Sequence, residues 1–116
     1  YKNISSSSIT NFQITDTLPT NVTLAATPTV TGATVNAAYT GVSPNNTLLT
    51  ALTLTANSVV TVSIPVVVNA AYTGTLSNQA SATATNFVAS SSDNVDNTTA
   101  GLPTGITVPS GSIAQT

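Results

Sequence analysis

The strongest constraint on this chain is a run of strictly alternating side chains, Ser58 to Val68, SVVTVSIPVVV. In an extended strand successive side chains point to opposite faces. Val60, Val62, Ile64, Val66 and Val68 therefore share one face, and Val59, Thr61, Ser63, Pro65 and Val67 share the other. Val, Ile and Thr are stiff at χ1 and favour a pleated surface over a helix. At about 3.4 Å per residue the run reaches roughly 35 Å. Its second face is also partly apolar, which predicts cover on both sides. Pro65 lacks a backbone donor and predicts an edge position or a bulge.

The same period recurs along the chain. Ile9 to Thr15 reads as a strand with Phe12 and Ile14 inward, Leu18-Pro19-Thr20-Asn21 as a turn, and Val22 to Ala25 as extended. Thr29 to Ala38 predicts one or two short strands around Gly32, and Leu48 to Ala56 a strand with Leu48, Leu52 and Leu54 inward. Thr75 to Thr85 puts Leu76, Asn78, Ala80, Ala82 and Ala84 on one face and only hydroxyl and amide side chains on the other. Asn94 to Thr99 reads as the last strand of the domain. No window has the i, i+3, i+4, i+7 spacing of an amphipathic helix with caps. Seven or eight short strands divided by turn residues predict an all-β chain, a sandwich of two antiparallel sheets. The hexapeptide NAAYTG occurs at Asn36–Gly41 and again at Asn69–Gly74, which fits either an internal duplication or two similar turns that set a Tyr at the rim.

Composition then narrows the function. The 116 residues suit one domain, here 1–100, followed by an extended segment at 101–116. Only Lys2, Asp16, Asp93 and Asp96 carry charge, and Cys, His, Met, Trp, Arg and Glu are all absent. Without a basic patch there is nothing to release counterions from a phosphate backbone, which argues against nucleic acid as a partner. Without His or Cys there is no zinc site, no His-based triad and no disulfide. No enzyme activity and no cofactor are expected. The chain is 41 % apolar, too much for a disordered segment, yet no stretch reaches 18 apolar residues, so no membrane-spanning helix is expected. The first residues lack the pattern of a signal peptide. The scarcity of Lys and Glu is associated with secreted and surface proteins. So low a charge also favours association.

Several stretches together resemble a known family: ITNFQITDTLPTNVTL, SVVTVSIPVVV, GTLSNQASATAT and DNVDNTTA. Asp16-Thr17-Leu18-Pro19 ends a strand, and Gly74, Leu76, Asn78 and Ala80 fit a Gly-x-Leu-x-Asn-x-Ala strand. Over roughly residues 1–100 the chain resembles the prokaryotic surface-protein repeat called domain of unknown function eleven. The resemblance implies an immunoglobulin-like antiparallel β-sandwich at the prokaryotic cell surface, structural or adhesive, with no catalytic residue to transfer. In that family a Gly-Asp-x-Val-x-Tyr-Thr-type strand follows a still earlier first strand. Tyr1-Lys2-Asn3-Ile4 matches only the tail of it. On this likeness the sandwich is incomplete, and the missing strands leave an apolar groove and unpaired backbone groups.

A strand from a neighbouring subunit is one filler for such a groove. The other possibility is that the sequence is a window cut from a longer chain. The residues expected to assemble are Ile106, Val108 and Ile113 in the C-terminal segment, with Tyr1 and Ile4 at the other end. The expected function is that of a structural subunit of an extracellular, pilus-like fibre whose partners are copies of itself. The alternative is a tandem stalk repeat of a large adhesin, with adjacent repeats as partners and glycan or another cell bound through loops. Asp93 and Asp96 are the weak candidates for Ca²⁺, with no bidentate Glu beside them. Asp16 is expected to accept hydrogen bonds from the turn amides near Thr17 and Leu18. Asn3, Asn21, Asn45 and Asn97 each begin an Asn-x-Ser/Thr triplet open to glycosylation. With four charges, assembly is expected to be indifferent to ionic strength, and to pH between about 5 and 9.

Overall fold

The computed structural model describes residues 1–85 and 87–92, together with the strand backbone at 104–108. Among these residues there are ten strands and no helix, and every strand pair is antiparallel. None of the described residues therefore forms a helix long and apolar enough to cross a membrane.

Strands β1 (Ile9–Asp16), β4 (Thr47–Leu54), β8 (Ala80–Ala84) and β9 (Phe87–Ser91) form one sheet in the order β4-β1-β8-β9. The β1–β4 pairing is irregular. Ile9 faces Leu54, Phe12 faces Leu52, Ile14 faces Leu49 and Thr15 faces Thr47. The first shift places an extra residue on β1, where Asn11 has φ +54°, and the second places one on β4, where Ala51 has φ +49°. The third falls at Leu48 and Leu49. A bulge sets two residues against one and interrupts the alternation, so both leucines are buried. The simple period-two reading put only Leu48 inward and missed Leu49.

The long run at 58–68 keeps its alternation but not its continuity. Val60 and Val68 are buried, Val62, Ile64 and Val66 half-buried, and every odd-numbered position from 59 to 67 is exposed. With Val59 56 % and Val67 52 % exposed, the expected cover over the second face is missing among the described residues. The ladder is cut at Ile64-Pro65 into β5 (Val62–Ser63) and β6 (Val66–Val68), which pair with β3 (Thr29–Val30) and β2 (Val22–Leu24) respectively. Five steps separate Leu24 from Thr29, but only three separate their partners Val66 and Ser63. Pro28 and Pro65 both stand in this gap, where a missing N–H costs the ladder nothing. Further along, Tyr1 and Val60 exchange both backbone hydrogen bonds, at 2.9 and 2.8 Å, so residues 1–3 form a short ladder beside 58–60. Of the Thr29–Ala38 stretch only β3 is a strand.

The run Thr75–Thr85 is divided at Gln79. Its first half, β7 (Gly74–Asn78), pairs with β10 (Thr104–Val108), while its second half is β8 in the four-stranded sheet. Asn94–Thr99, expected to be the last strand, lies outside the described residues, whereas β9 has no clear signal in the sequence. Phe12, Ile14, Leu48, Leu49, Leu54 and Ala82 of the large sheet form the core with Tyr39 and Val60. Half-buried Leu24, Val30, Val62 and Ile64 close over it. The result is an all-β, sandwich-like packing. A smaller cluster of Val68 and Leu76 packs with Val22 and Tyr72.

Both NAAYTG segments fold alike. The Asn36 carbonyl accepts from the Tyr39 amide at 3.0 Å, and the Asn69 carbonyl from the Tyr72 amide at 2.9 Å. In each, the Asn side-chain oxygen takes the amide two residues on, at 3.1 and 3.0 Å. The tyrosines then part company. Tyr39 is in the core, not at the rim.

Candidate assembly interface

β10 meets the described chain along one edge. Its backbone runs antiparallel to β7 from Thr104 opposite Asn78 to Val108 opposite Gly74, with Ile106 opposite Leu76. Two of the residues expected to assemble, Ile106 and Val108, therefore belong to an added edge strand, while Ile113 lies outside the described residues. The acceptor strand offers Leu76, which is buried, flanked by exposed Thr75 and Ser77.

Tyr1 and Ile4 border a groove of about 260 Å³ whose lining includes Ile9, Phe12, Ala84 and Phe87. Tyr1 is half-buried there. Its ring meets Phe12 edge-on, with centroids 6.2 Å apart, and its hydroxyl lies 3.1 Å from the Ala80 carbonyl and 3.2 Å from that of Ser90. One side chain thus ties the 1–3 ladder to β8 and β9. Ile4, by contrast, is 86 % exposed, and Phe87, which also lines the groove, is 53 % exposed. An apolar pair left in water beside a groove is the kind of feature that marks a contact surface.

The Asp16 carboxyl is not where the turn chemistry predicts. The Leu18 amide donates to the Gly41 carbonyl at 2.9 Å and the Thr17 hydroxyl accepts from Asn46 Nδ2 at 2.7 Å. Asp16 itself turns inward, 4 % exposed. The alternation of β1 sets it on the same face as Phe12 and Ile14, and its Oδ2 accepts from Asn78 Nδ2 at 2.9 Å. Asp16 Oδ1 and Asn78 Oδ1 are both buried with no hydrogen-bond partner. Burial pushes the Asp16 pKa above the ordinary carboxylate value, and the hydrogen bond from Asn78 offsets part of that rise. Asp16 also borders a cavity of about 320 Å³ whose lining includes Ile14, Leu48, Val60, Ile64 and Ala80. The signal for its partner was an amide, Asn78, standing at an inward position among Leu76, Ala80, Ala82 and Ala84.

The glycosylation triplets occupy different settings. Asn3 is buried, its Nδ2 directed at the carbonyls of Ser7, Leu54 and Thr55 at 2.9 to 3.1 Å. Asn21 is half-buried in a turn at φ +71°. Asn45 is exposed, in the short loop closed by its amide on the Val42 carbonyl at 2.7 Å. Asn97 and the Ca²⁺ candidates Asp93 and Asp96 lie outside the described residues. No family model, no curated protein and no solved structure matches this chain.

Proposed function

We propose that this chain is a structural subunit of an extracellular prokaryotic surface fibre, an immunoglobulin-like β-sandwich joined to copies of itself by strand complementation. The observation that carries this reading is the β7–β10 pair. β10 stands outside the four-stranded sheet and is held along one edge, so the same five-residue register is available to β10 of another copy. Exchange of an identical element replaces each contact within a chain by the same contact between chains, at little cost. The ladder supplies backbone hydrogen bonds, and alternate side chains supply register. The likeness to a surface-repeat family and the scarcity of charge fit the same role. Ile4 and Phe87 offer a second apolar contact beside the Tyr1 groove.

The test uses the absence of cysteine. Gly105 and Ser77 are partners across the pair, so Ser77→Cys and Gly105→Cys chains are prepared separately, assembled together and oxidised. Strand exchange gives disulfide-linked pairs containing one chain of each kind, and the double variant gives a covalent ladder. Closed monomers from the double variant, with no mixed pairs, would show that β10 stays on its own chain. If electron microscopy still shows filaments in that case, the fibre stands and its joint lies elsewhere. If sedimentation finds monomers only, the fibre itself falls.

A further inference from the structure

Asp16 and Asn78 leave two buried acceptor oxygens without a donor. Leaving a buried polar group without a partner is costly, and more so when it is charged. Among the described residues no cation pairs with the carboxyl, and the Tyr1 ammonium, which borders the same cavity, donates to the Val60 carbonyl at 2.9 Å. β1, β4, β7, β8 and residues 58–64 contribute no other charged side chain to this region, and Lys2 is exposed in a backbone bridge with Val59. Among the described residues, the titratable side chains that face the carboxyl are two phenols. Tyr39 donates its hydroxyl to the Asp16 carbonyl at 3.1 Å, and Tyr1 lines the same cavity. Neither phenol brings positive charge, and both are pushed up, by burial first and then by the nearby Asp16, Tyr39 to about 12.

One proton resolves both orphans. A carboxyl and a primary carboxamide pair through two hydrogen bonds, N–H to one oxygen and O–H to the amide oxygen. The first of these is present, from Asn78 Nδ2 to Asp16 Oδ2. We propose that Asp16 is held as the neutral acid in the folded chain, its Oδ1 proton donated to Asn78 Oδ1, so that the pair is a proton-dependent latch. The latch lies where it matters. Asp16 ends β1 in the large sheet, and Asn78 ends β7, opposite Thr104 of β10. It therefore ties the large sheet to the β7–β10 pair at the crossing from β7 to β8.

The direction of the pH effect follows. Below the unfolded pKa of about 3.8 the acid is neutral in both states and the latch contributes fully. As pH rises the unfolded chain gives up its proton while the folded chain keeps it, and the unfolding equilibrium constant grows by up to about tenfold per pH unit. The loss levels off above the raised folded pKa. The latch thus contributes more to the stability of the folded chain in acid than at neutral pH.

Urea unfolding between about pH 3 and 8, on the natural chain and on Asp16→Asn, tests the latch. The amide of the variant carries a permanent N–H toward Asn78, so its stability should change less with pH, and Asp93 and Asp96 contribute equally to both chains. The expected result is a difference between the two that widens as pH rises from about 4. The ¹³Cγ resonance of Asp16 in the natural chain should also titrate above 3.8, and this measurement decides alone should the variant fail to fold. A pH-independent difference, or a resonance titrating at or below 3.8, would mean an ionised carboxylate hydrated by cavity water and would overturn the latch.

Discussion

Tyr39 and Tyr72 hold the fourth position of the same hexapeptide in the same turn, yet their hydroxyls do different work. The Tyr39 hydroxyl crosses the core to the Asp16 carbonyl at 3.1 Å, whereas that of Tyr72 returns to the Thr75 carbonyl, three residues on, at 3.0 Å and exposed to solvent. Water can replace the second bond but not the first. Tyr39→Phe should therefore lower the free energy of unfolding by about 1–2 kcal/mol, and Tyr72→Phe by no more than about 0.5 kcal/mol. Urea unfolding of the two variants side by side measures the difference, with the shared turn as internal control. Equal losses would show that the turn, not the buried bond, sets the cost.

Two of the three register shifts in the β1–β4 pairing set a residue at positive φ. Ala51 sits at φ +49° and Asn11 at φ +54°, a region that costs most L residues about 1–2 kcal/mol. Asn tolerates it, and Asn11 also donates from Nδ2 to the Thr85 hydroxyl at 2.8 Å. Ala51 is exposed and has no such compensation. Ala51→Gly should raise stability by about 0.5–1 kcal/mol, after the greater unfolded-state freedom of glycine is set against the relieved strain. Asn11→Gly should give no gain. Thermal unfolding of both variants checks this.

Gly32 and Gly41 share a positive φ, +79° and +77°, but not their surroundings. A Cβ on Gly32 meets nothing within 4 Å, while one on Gly41 falls 2.5 Å from Leu18 Cδ1 and 2.6 Å from its Cγ. Gly32→Ala should cost about 1 kcal/mol from the backbone alone, and Gly41→Ala about 2–4 kcal/mol from backbone and overpacking together. Combining Gly41→Ala with Leu18→Ala should recover part of the loss, a coupling that a double-mutant cycle reads directly.

Strand faces were legible because alternation is local. Every even-numbered position from 60 to 68 is inward, as the run itself dictates. Continuity was not legible, because whether a strand changes sheets is decided by its partners. Nothing in Ser77-Asn78-Gln79-Ala80 announces that β7 and β8 separate there. The bulge that buries Leu49 beside Leu48 likewise depends on the register of β1, and β9 escaped because Phe87–Ser91 has its apolar residues in one run followed by two serines, with no alternation to read. At the candidate interface, Ile106, Val108, Tyr1 and Ile4 stood out as apolar residues near the chain ends. The Asp16–Asn78 pair joins residues 62 positions apart, and only the fold brings a carboxyl and an inward amide together.

Ionic strength provides the last test. Of the four charged side chains, Lys2 is exposed and Asp16 is buried against an amide, and surface ion pairs contribute only about 0–1 kcal/mol even where they form. Added NaCl shortens the reach of a charge to about 3 Å at 1 M, so it weakens assemblies held by charge and spares those held by ladders and apolar side chains. The midpoint of urea unfolding at fixed pH, and the fraction of chain in filaments, should therefore stay essentially constant from about 10 mM to 1 M NaCl. Filaments that dissolve in moderate salt would place ion pairs at the joint, which the β7–β10 register does not supply.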